Sequence, residues 1–158
     1  MNILVLCTGN SARSILLDTL LNRHGGGRVT AFSAGSHPTG KVHSETLKLL
    51  RSEGIDVRNL RSESWDIFAR PGAPSVDAVI TVCGNAATQS CPIRPGAPAR
   101  AHWGVDDPAA AAPEDWASAL RTTYDTLQTH ALRLMREPFE TMDRPALQSL
   151  LNRIGTTS

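Results

Sequence analysis

Residues 6–14 read LCTGNSARS: a cysteine closes an apolar run, small residues make a turn, and Arg13 and Ser14 follow. A turn of small residues lets successive backbone N–H groups point inward, and a helix starting after it adds the positive end of its dipole. Thr8, Gly9, Asn10, Ser11 and Ala12 are therefore candidate oxyanion-binding positions. Arg13 can bring a planar two-pronged donor to two oxygens of a phosphate-like group. The same donors act on the Cys7 sulfur. A free thiol of pKa about 8.5 is mostly protonated at neutral pH, whereas helix N-termini and nearby cations lower it to about 3.5 to 7.5. The gain in thiolate, at most roughly 30-fold at pH 7, is partly offset by weaker intrinsic nucleophilicity, and pre-organisation of the anion supplies the rest. Ser14 can donate its hydroxyl to the Cys7 sulfur. Asn10 can hold the turn through its side-chain amide, and asparagine tolerates positive φ. Competing phosphate motifs are weak: there is no G-x-x-x-x-G-K-[ST], the GGG run lacks a following lysine, and TGK at 39–41 follows no strand directly.

The elements that must position these residues alternate between strand and helix. Residues 2–7 form a nearly continuous apolar run, as expected for a strand buried on both faces of a parallel sheet. Ile15, Leu16, Leu20 and Leu21 recur at helical spacing until Gly25–Gly27. Leu16 and Leu17 make this helix unusually apolar, which implies deeper packing or a dimer contact. VTAFS at 29–33 reads as a second strand, and Leu47, Leu49 and Leu50 belong to a helix ended by Gly54. A short helix is expected over 62–69. VDAVITVC at 76–83 is a β-branched run that again finishes in a cysteine, and ARAHW at 99–103 is a fourth strand. A long helix follows Pro113, with Trp116, Leu120, Tyr124, Leu127 and Leu134 as its apolar positions. A last helix has Pro145 near its start, buries Leu147, Leu150, Leu151 and Ile154, and ends at Gly155. This alternation predicts an α/β fold: one domain over 1–158, a parallel four-stranded sheet and helices on both faces. Ligands bind outside the carboxyl ends of such strands, so Cys7 and Cys83 both fall on the functional edge.

Composition narrows the partners. The 158 residues carry 16 Lys+Arg against 15 Asp+Glu, a formal net charge of +1, so no long-range field gathers nucleic acid or a membrane surface. The N-terminal apolar run is too short to span a bilayer and lacks the pattern of a secretion signal, which predicts a cytoplasmic protein. Three cysteines, Cys7, Cys83 and Cys91, fit poorly with a static disulfide framework there. Catalytic, redox or metal roles remain open from the count alone. Zinc at Cys83, Cys91 and His102 would lack the C-x-x-C pair common in such sites, and no metal is expected. His24, His37, His43 and His130 read as surface or packing residues, and Trp65, Trp103 and Trp116 as core or loop anchors.

CTGNSARS resembles the active-site loop of the low-molecular-weight tyrosine phosphatase fold. Further stretches resemble the arsenate reductases built on that fold: FSAGSHPTGKVH at 32–43, SWDIFA at 64–69, VITVCGNAATQSCP at 79–92 and AHWGVDDPAA at 101–110. The resemblance runs from Met1 to about Ala112, more loosely in the last helix, and implies the thioredoxin-coupled type. It implies Cys7 as nucleophile, Arg13 as oxyanion clamp, Ser14 as thiolate stabiliser and Asp107 as general acid. Asp106 and Asp107 also read as a simple turn; Asp107 is preferred because the family's acid directly precedes proline. The implied reaction joins Cys7 to arsenate. Cys83 then attacks Cys7 and releases arsenite, and Cys91 attacks Cys83. The Cys83–Cys91 disulfide would pass to thioredoxin or a related thiol reductant, with no cofactor tightly bound.

Phosphate or sulfate would mimic the substrate, and a monomer is expected. The resemblance also extends to a monovalent-cation site of some members, matched by Asn10, Asp18, Ser33 and Glu63. Gly84 departs from the family pattern, where an acidic residue would follow the cysteine. The alternative reading is a low-molecular-weight protein tyrosine phosphatase, which shares the loop and the acid but leaves Cys83 and Cys91 without work. Spacing adds one constraint. A disulfide needs Cα atoms about 4.4 to 6.8 Å apart. Eight residues span about 12 Å as helix and roughly 26 Å as strand. Residues 83–91 must therefore fold back or remodel on oxidation.

Overall fold

Strand β1, Asn2–Cys7, is buried at every position from Ile3 to Cys7, with no polar alternation, because it lies in the middle of the sheet. The computed structural model describes residues 1–84 and 98–156. In it β2, Thr30–Gly35, and β3, Ala78–Thr81, flank β1, and β4, Ala99–His102, pairs with β3. All pairings are parallel, in the order β2-β1-β3-β4. The chain leaves β1 for β2 on one side and returns to β3 on the other, so the strand order reverses at the carboxyl end of β1. A crevice opens at such a reversal, and Cys7 is the last residue of β1.

Helix α1, Arg13–His24, carries the chain from β1 to β2; Gly26 and Gly27, both at positive φ, then turn it back. Ser14–Leu17 and Thr19–Leu21 are all buried, with Leu16 and Leu17 fully so. Helix α3, Trp116–Met135, supplies the second cover: α1 packs against β1 and β2 and also against α3. The apolar excess of α1 is therefore spent inside the chain, which settles that reading in favour of deeper packing. Helix α2, Ser44–Ser52, starts at His43, whose Nδ1 accepts from the Glu45 amide, and also packs on α3. Residues 65–69 form a 3-10 helix capped by Ser64, and its Phe68 meets Phe32 of β2 edge to face.

Several boundaries differ from the expectation: β2 is Thr30–Gly35 rather than 29–33, the short helix Trp65–Ala69 rather than 62–69, and β4 Ala99–His102 rather than 99–103. The β3 ladder spans Ala78–Thr81 rather than 76–83; just before it, the Asp77 carboxylate accepts from the Asn2 amide at 2.7 Å. Cys83 stands past the ladder, although the Val82 amide still donates to the Leu6 carbonyl at 3.0 Å and keeps this end beside β1. The helix after Pro113 begins as a 3-10 turn, Pro113–Asp115, before α3 proper. Helix α4, Arg144–Thr156, buries Leu147, Leu150, Leu151 and Ile154 against β4 and α3, but Gly155 lies inside its last turn.

That glycine is a packing residue rather than a stop. A Cβ there would lie 2.5 Å from the His102 carbonyl oxygen and 2.6 Å from Trp103 Cδ1. Trp103 is fully buried, donates Nε1–H to the Leu151 carbonyl at 2.9 Å and meets His130 edge to face. Ordinarily Gly→Ala in a helix gains on the order of 1 kcal/mol. Gly155→Ala should instead lose about 1–3 kcal/mol through overpacking, read from the urea midpoint; a more stable variant would contradict the packing role.

Candidate active site

The turn after Cys7 is held from outside by its own carbonyls. Those of Cys7, Thr8, Gly9 and Ser11 accept from the amides of Ser36, His37, Thr39 and His43 at 3.3, 2.9, 3.0 and 2.9 Å. Since the N–H of a trans peptide points opposite to its C=O, the amide edges of these peptides turn the other way, towards the Cys7 side. The Gly9 amide hydrogen-bonds the Cys7 sulfur. Asn10 sits at φ 48° and is fully buried. Its Oδ1 accepts from the Glu63 amide and its Nδ2 donates to Ser14 Oγ, each at 2.8 Å. Asn10 thus does the turn-holding work expected of it, with a backbone partner 53 residues away.

Gly35 and Ser62 belong to the same frame and are not suggested by the loop motif. A Cβ on Gly35 would lie 2.5 Å from the Thr8 carbonyl oxygen and 3.1 Å from the Asn10 Cβ, so only glycine lets β2 end against the loop. The Ser62 hydroxyl donates to the Gly9 carbonyl at 3.1 Å. Helix α1 begins with no side-chain cap, which leaves its N-terminal amides to an anion.

A cleft of about 560 Å³ brings together Cys7, Arg13, Cys83 and Asp107, with Thr8 to Ala12 contributing all but Asn10 to its wall. Cys7 and Cys83, 4% and 5% exposed, both line this cleft, close enough for Cys83 to act on the Cys7 thiol. Thr8 Oγ1 stands 3.4 Å from Cys83 Sγ. The contact with Cys83, reinforced by burial and by the Cys83 charge, pushes the Cys7 thiol up, while Arg13 and the Gly9 amide pull it down. The loop motif predicts a lowered thiol; the opposite direction follows from a second sulfur that the motif does not contain.

Arg13 donates Nη1–H to the Val105 carbonyl at 3.2 Å, and its Nη2 lies 3.7 Å from Asp107 Oδ2. Asp107 Oδ1 accepts from the Ala109 amide at 3.0 Å and caps the 3-10 turn Pro108–Ala110. Asp107 is thus both a turn residue and a member of the cleft, whereas Asp106 lines a neighbouring groove together with Asp107. The Ser14 hydroxyl oxygen accepts from Asn10 Nδ2 at 2.8 Å, which ties the first turn of α1 to the loop. Cys91 lies outside the described residues.

Beneath the loop, Asp18, Ser33 and Glu63 line a smaller cleft of about 170 Å³. Burial pushes the Asp18 carboxyl up to about 7; the Ser33 hydrogen bond opposes this and the Glu63 charge adds to it. Arg61 lines the same cleft.

A four-stranded parallel sheet with a cysteine-to-arginine loop at the end of its central strand defines a class. The chain belongs to the low molecular weight phosphotyrosine protein phosphatase family, whose pattern matches residues 2–145. It is 40% identical to the arsenate reductase of Bacillus licheniformis over 106 residues, which cover 67% of this chain and 73% of that protein. An arsenate reductase solved in its oxidized state shares the fold with a TM-score of 0.68 at 20% identity, over 85% of this chain and 96% of that one. So does a thioredoxin-dependent arsenate reductase of Corynebacterium glutamicum, with a TM-score of 0.62 at 20% identity, over 85% of this chain and 60% of that one.

Two outcomes check the electrostatics. Cys83→Ala removes the largest upward influence on Cys7, so the Cys7 thiol should titrate lower, read as thiolate absorbance against a Cys7→Ser reference; an unmoved or higher titration would refute the pairing. Because folded Asp18 keeps its proton to about pH 7, its contribution to stability is complete below its ordinary pKa of 3.8 and fades as pH rises to about 7. Asp18→Asn should flatten that fall in urea titrations between these pH values.

Proposed function

We propose that this chain reduces arsenate to arsenite, using Cys7, Cys83 and Cys91 in turn. The observation that carries the reading is that Cys7 and Cys83 line the one cleft that also holds Arg13 and Asp107. A phosphatase needs the nucleophile, the clamp and the acid, but no second sulfur. Similarity to arsenate reductases over two thirds of the chain supports the same choice.

The Cys7 thiolate attacks arsenic while the loop amides and Arg13 hold the remaining oxygens. Asp107 protonates the departing oxygen, which leaves as water. Cys83 then attacks the Cys7 sulfur of the adduct. The S–As electron pair passes to arsenic, arsenite departs and a Cys7–Cys83 disulfide remains. Thr8 is the positioning residue for this step, since its hydroxyl holds the Cys83 sulfur beside its target. Cys91 attacks Cys83, freeing Cys7, and a dithiol protein of the thioredoxin type reduces the Cys83–Cys91 bond.

Asp18, Ser33 and Glu63 would hold a monovalent cation whose charge stiffens the loop from below, with Asn10 held between that cleft and the loop by the Glu63 amide. The whole chain, 1–158, works as one domain and as a monomer, in the cytoplasm, where thiol reductants keep such a cycle running. Among the described residues no helix is long and apolar enough to cross a membrane.

The test is arsenate-dependent oxidation of thioredoxin alongside turnover of p-nitrophenyl phosphate. Cys7→Ser should abolish both. Cys83→Ser and Cys91→Ser should abolish only arsenate turnover, and Asp107→Asn should slow it by about 10²–10⁴-fold, the usual worth of a positioned acid. Arsenate turnover that survives Cys83→Ser would overturn the proposal.

A further inference from the structure

Arg13 meets two partners, and the nearer is a backbone carbonyl: Nη1–H reaches the Val105 oxygen at 3.2 Å, while Nη2 stands 3.7 Å from the Asp107 carboxylate. The aim of the guanidinium therefore follows the placement of Val105. The Trp103 amide donates to the Thr81 carbonyl at 2.8 Å and the Val105 amide to the Val82 carbonyl at 3.2 Å, so the chain stays beside β3 past the end of β4. Gly104 lies between these ties. It has no positive φ that would call for glycine. What excludes a side chain there is the His102 imidazole: a Cβ on Gly104 would lie 2.5 Å from its Nε2 and 3.2 Å from both Cδ2 and Cε1. The other end of the ring is anchored. Nδ1 lies 2.8 Å from Thr81 Oγ1, which itself donates to the Ala101 carbonyl at 3.4 Å and so accepts from Nδ1–H. The imidazole thus spans from β3 to the Gly104 backbone. It lines the neighbouring groove of about 800 Å³ together with Gly104, Val105 and Asp107, and not the wall of the cleft around Cys7.

We propose that His102 is a positioning residue for Arg13: its ring, pinned by Thr81, bears on Gly104 and sets the Val105 carbonyl that aims the guanidinium into the cleft. The inference rests on the reading of Arg13 as the oxyanion clamp. A planar fork delivers two parallel hydrogen bonds only when it is aimed. Without the ring the Gly104–Val105 peptide can shift, and the fork then meets an anion with one good bond in place of two. Such a clamp holds the bound anion as well as the transition state, so the loss falls on affinity and KM and spares kcat.

The test measures binding of inorganic phosphate to the full chain by calorimetry, and KM and kcat for arsenate with thioredoxin and its reductase. His102→Ala should weaken phosphate binding on the order of tenfold, the scale of one hydrogen bond to a charged group. The KM for arsenate should rise by a similar factor, with kcat changed by less than about twofold. In an Arg13→Lys background, which keeps the charge but has no fork to aim, the same substitution should change phosphate affinity by less than about twofold, because the ring acts only through the guanidinium. Should His102→Ala misfold, Thr81→Val, which frees the ring and keeps a good strand former in β3, decides alone and should weaken phosphate binding in the same direction. Phosphate bound equally by the unaltered chain and the folded variant, or a loss that persists in full in the Arg13→Lys background, would overturn the proposal and leave the clamp standing. An unaltered chain that binds no phosphate would remove the clamp and this inference together, whereas phosphate binding without arsenate turnover removes the arsenate reading alone.

Discussion

The arrangement depends on one inversion: the peptide groups after Cys7 present their carbonyls to residues 36–43, which turns their amide edges the other way, that of Gly9 onto the Cys7 sulfur. A loop left to itself would scatter those dipoles. Here four carbonyls are taken by the amides of a single neighbouring segment, and Asn10 fixes the turn at φ 48° with both ends of its side chain engaged. A concentrated array of donors results, arranged before any charge arrives, which is why such a site stabilises an anion without reorganising. The chain's net charge of +1 contributes little to that; attraction is local.

The second constraint is the pairing of two sulfurs. Parallel strands β1 and β3 run side by side in register from Ile3 with Ala78 to Leu6 with Thr81, so the residues just beyond each are neighbours. That register, more than any local motif, places Cys83 against Cys7. It also explains why Cys7 holds its proton more tightly than its loop alone would dictate: Cys83 competes with it for charge. The ion pair between Arg13 and Asp107 is long, at 3.7 Å, and Asp107 is 46% exposed on its side chain, so water screens it. It orients the acid more than it binds it.

Much of this was legible from residue order because the governing forces are short in sequence. Strand β1, helix α1 and the cradle are one continuous segment whose period, turn residues and cysteine-to-arginine spacing speak for each other. What escaped notice is made by residues distant in the chain. Gly35 matters only because the loop's carbonyl passes over it, and Gly155 only because an indole and a carbonyl press on it from β4 and the residue after it. Ser14 points to Asn10 one helical turn away, a choice the motif leaves open. The direction of the Cys7 shift needed knowledge of β-sheet register. The remodelling inferred from the spacing of residues 83–91 falls in a stretch outside the described residues.

Helix α1 is pressed on one flank by β1 and β2 and on the other by α3. Its first turn forms the wall of the cleft, so that wall shares its foundations with the interior of the whole molecule. Amides at its start can open only when interior packing is lost, and their exchange with solvent would follow global unfolding rather than local fraying. A protein built this way keeps the seat at its cysteine loop intact until the fold itself gives way.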